Sequence, residues 1–305
     1  MPYLLPFPDI DPVLVSVELF GLTFSIRWYA LAYVAGFAAA WAWMLRLTAT
    51  PRLWKAESPP LPPDAIERLI TWSVFGVVLG GRLGYVLFYN PGHYITNPLG
   101  IFAVWEGGMS FHGGALGAIL AGFLLSWRYN LPFASIADMM AFSVPFGLFL
   151  GRVANFINAE LWGRPTDVAW AVVFPGARAS QCPSWWTAEL CSRHPSQLYE
   201  AGLEGVLLFA VLAILAYRYG WLRTPGKITG AFMCLYGAAR SFIEIYREPD
   251  SQFVTASNPF GHAIRFGTDA GDLGFTMGQL LSLPMVAAGL AILLLVSRRS
   301  PRAAA

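Results

Sequence analysis

The chain has 305 residues, of which 56% are hydrophobic and only 12% charged, against roughly 25% charged in an ordinary soluble domain. That excludes a disordered chain, and a soluble domain of this size would need more charge to cover its surface. A net charge of +2 is too small to point to a nucleic-acid partner.

With 30 glycines and 15% aromatics, the composition predicts an all-α polytopic membrane protein forming one integral membrane domain over residues 1–305. The opening segment Met1 to Asp9 lacks the basic stretch of a cleavable signal peptide, so none is expected. Residues 12–26 alternate only partly between apolar and polar, and read as a short strand or an interfacial segment. A spanning helix needs about 20 mostly apolar residues. Seven stretches qualify: 27–47, 69–90, 111–128, 138–158, 197–218, 228–247 and 276–296. Arg82 and Arg152 lie inside the second and fourth. Residues 51–64, with five prolines, read as an extended linker. The longest connection, 159–196, is expected to fold as a small cap.

Positive charge sets the orientation. Arg46, Arg52, Lys55 and Arg68 flank the first connection, Arg128 ends the third span, and Arg218, Arg223 and Lys227 surround the fifth connection. The tail adds Arg298, Arg299 and Arg302, whereas residues 1–26 and 91–110 carry no Lys or Arg. The other two connections on that side carry Arg164, Arg178 and Arg193, and Arg265. The N-terminus is therefore expected in the periplasm and the C-terminus in the cytoplasm, with the cap periplasmic. Cys182 and Cys191 would share that oxidising compartment, which leaves a disulfide and two free thiols both open. No CxxC pair exists, so no metal site is expected. Gly76, Gly80 and Gly84, Gly113 and Gly117, and Gly147 and Gly151 sit at the spacing that lets helix backbones approach.

Ionisable groups in the hydrocarbon layer cost about 2.5–3.5 kcal/mol each, so each needs a reason. With odd spans running inward and even spans outward, the polar residues gather in the outer half. They are Tyr29, Arg82, Tyr85, Tyr89, His112, Arg152, Asn155, Asn158, Gln197, Glu200, Glu204, Tyr236, Arg240, Glu244 and Arg247. At about 100° per residue, Tyr236, Arg240, Glu244 and Arg247 fall within an arc of about 80°, and Arg152 and Asn155 lie about 60° apart. Arginine's planar fork suits phosphate and stays charged when desolvated. Arg82, Arg152 and Arg240 at one depth therefore point to an anionic substrate from the outer leaflet, a phospholipid head group. Against this stand structural roles. Arg152 could pair with Glu160, Glu200 or Glu204, Arg240 with Glu244, and Arg82 could lock helices together. Tyr29 could be an interfacial residue, and Asn155 and Asn158 interhelical hydrogen-bonding groups. His112, flanked by glycines, could act in proton transfer or simply be hydrogen-bonded at a helix start.

Several long motifs resemble the bacterial prolipoprotein diacylglyceryl transferase family, over nearly the whole chain. They are Gly81-Arg82-Leu83-Gly84-Tyr85-Val86-Leu87-Phe88-Tyr89-Asn90, Gly107-Gly108-Met109-Ser110-Phe111-His112-Gly113-Gly114, and Gly151-Arg152-Val153-Ala154-Asn155-Phe156-Ile157-Asn158-Ala159-Glu160-Leu161-Trp162-Gly163-Arg164. Arg193-His194-Pro195-Ser196-Gln197-Leu198-Tyr199-Glu200 and Tyr236-Gly237-Ala238-Ala239-Arg240-Ser241-Phe242-Ile243-Glu244 complete the set.

The resemblance implies a seven-helix enzyme of the bacterial inner membrane, active near the periplasmic leaflet. It would move the diacylglyceryl group of phosphatidylglycerol onto the lipobox cysteine thiol of a preprolipoprotein, forming a thioether and releasing glycerol phosphate. It implies no cofactor, and its partners are phosphatidylglycerol, lipobox signal peptides and membrane lipids. The family's essential positions fall on Tyr29, His112, Arg152, Asn155, Gly163, Arg240 and Glu244. Combined with the polar residues above, the catalytic set is His112, Tyr29, Arg152 and Arg240. The lipid-binding set is Arg152, Asn155, Arg240, Glu244, Arg82, Tyr85, Gly163 and Tyr236. Two departures stand out: Arg27-Trp28-Tyr29 where the family often has His-Trp-Tyr, and Asn158-Ala159-Glu160 where it often has Asn-Gly-Glu. Two rival readings are an intramembrane serine protease built on Ser110 and His112, and a lipid or solute transporter. The protease reading lacks the second glycine of G-x-S-x-G, and the transporter reading lacks a visible inverted repeat.

Overall fold

Proline and short polar residues punctuate the apolar runs, and the helices start and stop at them. The computed structural model describes residues 5–19, 22–183, 186–269 and 271–299. Helix α1 spans Trp28–Thr48, and Pro51 follows shortly after its end. Helix α2 spans Pro63–Phe88, with a proline at its first position and an Arg68–Asp64 ion pair of 3.7 Å on its opening turns. It starts ahead of the expected 69 because Asp64, Glu67 and Arg68 are helical although polar. A short α3 covers Pro91–Thr96. Helix α4 spans Phe111–Tyr129; the Ser110 side chain caps it by accepting from Gly113 N at 3.2 Å, and Asn130 ends it at φ 53°. Helix α5 spans Phe133–Ile157 and contains Pro145. Helix α6 runs over Ser196–Tyr217 and is a π-helix from Ala201 to Leu207. Helix α7 spans Lys227–Ile243 and α8 Met277–Arg299. A reciprocal cap opens α8: Thr276 Oγ1 accepts from Gln279 N at 3.3 Å, and Gln279 Oε1 from Thr276 N at 3.1 Å.

A helix lies at each of the seven expected places. Five of them, α1, α2, α5, α6 and α8, are long and apolar enough to cross a membrane. In α4 four glycines, His112 and Arg128 dilute the apolar run, and α7 has only 17 residues. The expected continuation of α7 to 247 fails: the helix ends at Ile243, and Arg247 instead forms an antiparallel bridge with Gly163. The expected extended linker at 51–64 is also corrected. Residues Pro51–Leu53 and Lys55–Glu57 form tight 3₁₀ turns, Leu53 and Trp54 are buried, and Trp54 Nε1 donates to Leu47 O at 2.9 Å. Burial of those two side chains outweighs the prolines' preference for an open chain.

The chain divides into two units. One comprises residues 37–143 and 215–229. Its centre is the α2–α4 contact, where the glycine stripes meet: a β-carbon on Gly84 would lie 2.9 Å from Gly113 Cα, and one on Gly117 would overlap the Gly76 carbonyl. In the same unit Asp138, fully buried, accepts from Gly226 N (2.7 Å), Thr229 N (2.8 Å) and Thr229 Oγ1 (2.7 Å), capping the start of α7.

The other unit comprises residues 1–36, 144–214 and 230–305. It opens with a hairpin of β2 (Val13–Leu19) and β3 (Leu22–Arg27), which resolves the ambiguous segment as strands. A parallel pair, β1 (Leu5–Pro6) with β4 (Val172–Val173), ties the N-terminal segment to the cap. The cap packs Val172, Phe174 and Ala179 against Phe7, Phe156 and Trp162. The Cys182–Cys191 disulfide is formed. Arg193, 2% exposed, anchors the cap: its guanidinium donates to Ala179 O (2.9 Å), Gln181 O (2.6 Å), Gly163 O (3.2 Å) and Glu248 (2.7 Å). A last pair, β5 (Ile264–Arg265) and β6 (Gly274–Phe275), precedes α8. The Gly147–Gly151 stripe departs from expectation: Gly36 packs on Gly147, but a β-carbon on Gly151 would meet nothing within 4 Å.

Because Gly117 has backbone carbonyl where a side chain would go, Gly117→Val should destabilise the α2–α4 pair by about 1–3 kcal/mol. A lowered melting midpoint of the solubilised protein is the expected readout; an unchanged midpoint would show that the helices separate freely.

Candidate active site

Three arginines of the larger unit converge on one enclosed carboxylate. Arg152 comes from the last turns of α5, Arg240 from α7, and Arg247 from the bridge beyond it. Glu200 enters from α6, just before its π-helical stretch, with no solvent exposure. Its Oε2 lies 3.0 Å from Arg152 Nε, and its Oε1 lies 2.5 Å from Arg247 Nη1 and 3.8 Å from Arg240 Nη1. Glu244 closes the ring at 2.6 Å from Arg240 Nη1 and 3.5 Å from Arg247 Nε. Gly278 makes room for that carboxylate, since a β-carbon there would lie 2.5 Å from Glu244 Cδ.

The carboxylates sit behind and the guanidiniums in front. Side-chain exposure is 0% for Glu200 and 8% for Glu244, but 17–18% for Arg152, Arg240 and Arg247. Among the described residues no hydrogen bond is made by the Nη2 of any of the three. Each arginine is thus held in place by a buried anion while part of its fork stays unused, an arrangement able to bind a second anion.

An amide layer adjoins the arginines. Arg152 Nη1 lies 3.5 Å from Asn155 Oδ1, and Asn155 Nδ2 donates to Glu160 Oε1 at 2.8 Å. Asn158 Nδ2 donates to the same oxygen at 3.3 Å, and Gln197 Nε2 to Glu160 O at 2.6 Å. Between them Ala159 adopts φ 52°, a left-handed conformation that favours glycine. A cleft of about 480 Å³ opens beside this layer, lined by Phe7, Asn158, Ala159, Trp162 and Arg178 among others.

The structure brings Arg152, Asn155, Arg240 and Glu244 together, with Tyr236 in the electrostatic field of Arg152 and Arg240. Tyr29 opens α1 and packs edge-on against Tyr33 at 5.2 Å, and Tyr33 in turn lies in the field of Arg152. Gly163 contributes backbone. It bridges Arg247 and donates to His194 O at 2.9 Å, and a β-carbon there would lie 2.7 Å from His194 Cβ. His194 is held beside it by Tyr199 at 3.0 Å, and burial pushes its imidazole below the ordinary value, toward the neutral form.

Arg82, Tyr85 and His112 belong to the smaller unit. Arg82, 3% exposed, donates to the carbonyls of Ile101 (2.9 Å), Gly100 (2.6 Å), Gly108 (3.2 Å) and Gly107. Its fork holds the 100–108 loop, with Tyr94 beneath the guanidinium at 5.2 Å. Tyr85 stacks on Tyr89 at 5.6 Å and packs against Gly108, whose φ is 75°. His112 is exposed on the first turn of α4, beside Ser110, whose N donates to Gly81 O at 2.8 Å.

Residue counting underrated Glu200, Arg247 and Arg193. The first two are visible in the sequence as polar residues in or beside apolar runs, but the carboxylate's zero exposure and the bridge at Arg247 are tertiary facts.

Long apolar helices enclosing an ionic cluster define an integral membrane protein with a polar site among its helices. Within that class, the sequence profile of prolipoprotein diacylglyceryl transferase matches residues 15–295, and the chain belongs to that family. It is 54% identical over 296 residues to the phosphatidylglycerol–prolipoprotein diacylglyceryl transferase of Cereibacter sphaeroides, covering 97% of this chain and 99% of the relative. The relatives of the same name from Ruegeria pomeroyi (54% identity, 95% and 96% covered) and Methylocella silvestris (47%, 98% of each) agree.

Two stability predictions follow from this geometry. Glu200→Gln leaves buried guanidiniums uncompensated and should cost about 3–5 kcal/mol, read as a lowered thermal midpoint; an unaltered midpoint would mean the arginines find other counter-charges. Ala159→Gly should relieve left-handed strain and stabilise by about 1 kcal/mol; a loss of stability would contradict the strain argument.

Proposed function

We propose that this chain, a membrane transferase, moves the diacylglyceryl group of phosphatidylglycerol onto the lipobox cysteine thiol of preprolipoproteins. A thioether forms and glycerol phosphate leaves. Family membership over nearly the whole chain supports the reaction. The observation that carries the site is the set of three anchored, partly exposed guanidiniums on Arg152, Arg240 and Arg247.

The chemistry asks little else of the protein. The partner's sulfur is the nucleophile, and it attacks the glycerol carbon that bears the phosphate ester. The C–S bond forms, the C–O bond breaks, and the phosphate leaves with the electron pair. Arg152 and Arg240 hold that phosphate and stabilise the charge gathering on it. Asn155 orients it, and Glu244 fixes the fork of Arg240. His112 or Tyr29 assists removal of the thiol proton, since the thiolate is the reactive form. Tyr236 and Gly163 complete the lipid site, the latter through backbone. Arg82 and Tyr85 shape the 100–108 loop beside His112.

The proposed setting is the bacterial inner membrane with seven spans, the five long apolar helices plus α4 and α7. The N-terminus and cap are periplasmic, the C-terminus is cytoplasmic, and the active site lies near the periplasmic leaflet. Charge distribution supports this orientation, as does the disulfide, which suits an oxidising compartment. The protease reading loses support because the Ser110 hydroxyl caps α4 and, among the described residues, makes no hydrogen bond to His112. A serine nucleophile would instead be bonded to its base.

Incubation with labelled phosphatidylglycerol and a lipobox peptide tests the assignment: label should appear on the cysteine, and peptide cleavage or lipid uptake without transfer would contradict it. Arg152→Lys keeps charge but loses the fork, and transfer should fall about 100-fold or more; near-normal rates would defeat the phosphate role. His112→Gln should slow transfer by a similar factor while retaining lipid binding, and wild-type turnover would remove His112 from the mechanism.

A further inference from the structure

One ionisable group in the site has no assigned task. Glu204 lies on the π-helical stretch of α6, one turn beyond Glu200, with no solvent exposure. Neither of its carboxylate oxygens has a hydrogen-bond partner among the described residues. It is nonetheless inside the cluster: Arg152, Arg240, Arg247 and Glu200 all act on it electrostatically, and it acts on Tyr236. These are the charged and titratable groups that face it, from α5, from α6 itself, and from α7 and the segment beyond. Neighbouring Gly205 packs on Phe149, where a β-carbon would lie 2.7 Å from Phe149 Cβ, so this stretch of helix has little freedom to carry the carboxyl out to water.

Charge counting gives the group a purpose. Three guanidiniums face two ion-paired carboxylates, Glu200 and Glu244. One positive charge is left over, and an ionised Glu204 cancels it. A phospholipid phosphodiester brings one more negative charge into the same enclosed space. These ion-paired groups can then stay neutral only if an anion is lost, and among the described residues Glu204 is the carboxylate of the cluster held by neither a hydrogen bond nor an ion pair, whereas Glu200 and Glu244 are both ion-paired.

Resting on the phosphate-binding reading above, we propose that Glu204 is a proton-linked counter-charge: it balances the arginines while the site is empty and takes up a proton when the lipid phosphate arrives. The step is an acid–base exchange. A proton from the surrounding water joins one carboxylate oxygen, its base is left in the medium, and no covalent bond of the lipid changes. The consequence is that lipid binding tightens as pH falls, and that the arginines bind phosphate without accumulating net negative charge in a low-dielectric layer.

The test uses the full chain in detergent with phosphatidylglycerol alone and no peptide, so that binding is read without transfer. Titration calorimetry in two buffers of different ionisation heat should show uptake of up to about one proton per lipid by the wild type, with affinity falling by up to about tenfold per unit rise in pH. Glu204→Gln imitates the protonated form. It should bind at least as tightly as the wild type, with no proton uptake and no pH dependence, whereas a merely structural role would weaken binding. Glu204→Asp should keep the uptake. Wild-type binding without proton uptake overturns the inference even if Glu204→Gln fails to fold. Equal uptake by Glu204→Gln also overturns it, by assigning the proton to another group. A wild type that does not bind the lipid at all instead overturns the phosphate-binding reading on which this rests.

Discussion

Everything in the site hangs on the Glu200 carboxylate. It is fully enclosed, and it lies within ion-pair distance of Arg152, Arg240 and Arg247 at once. A carboxylate this deep would be untenable alone, and three guanidiniums on separate segments would repel one another without it. The ion pairs are therefore weak evidence for stability but strong evidence for a fixed geometry. They hold three long, flexible side chains that stay partly exposed, so that for the anion binding proposed above the donors are already in place.

Local backbone features support that geometry. The π-helical stretch Ala201–Leu207 follows directly after Glu200 and gives α6 a different pitch through Glu204. Beyond α7 the chain leaves helix so that Arg247 can bridge Gly163, and only a residue without a side chain allows that approach. Arg193 then fastens Gly163 to the cap through its carbonyl and pairs with Glu248 just past Arg247. The cap is thus wired into the backbone that carries the site. In the smaller unit Arg82 does comparable work for the 100–108 loop, gripping carbonyls rather than an anion.

Much of this was legible in the sequence. Helix α1 was expected over 27–47 and spans Trp28–Thr48, because its apolar run is bounded clearly by Arg27 and by Pro51. The phase of Arg152 with Asn155, and of Arg240 with Glu244, was correct because both pairs lie in or at the end of regular helix. Errors arose where polar residues continue a helix or imitate one. Asp64 to Arg68 begin α2 without looking apolar, and Arg247 sits in phase with α7 after the helix has ended. Glu200 and Glu204, four residues apart, looked equivalent. The π-helix separates their roles, leaving one triply paired and the other without a hydrogen bond, and no residue pattern announces that change of pitch. The strained Ala159 was visible only as a departure from the family's usual glycine.

On the proposed function, these guanidiniums grip the phosphate of a lipid. A structure of the protein bound to phosphatidylglycerol tests it most directly. Phosphate oxygens should lie at hydrogen-bond distance, roughly 2.7–3.2 Å, from nitrogens of Arg152 and Arg240, with Glu200 still behind them. A head group seated elsewhere, with both arginines still turned only to their carboxylates, would contradict the account.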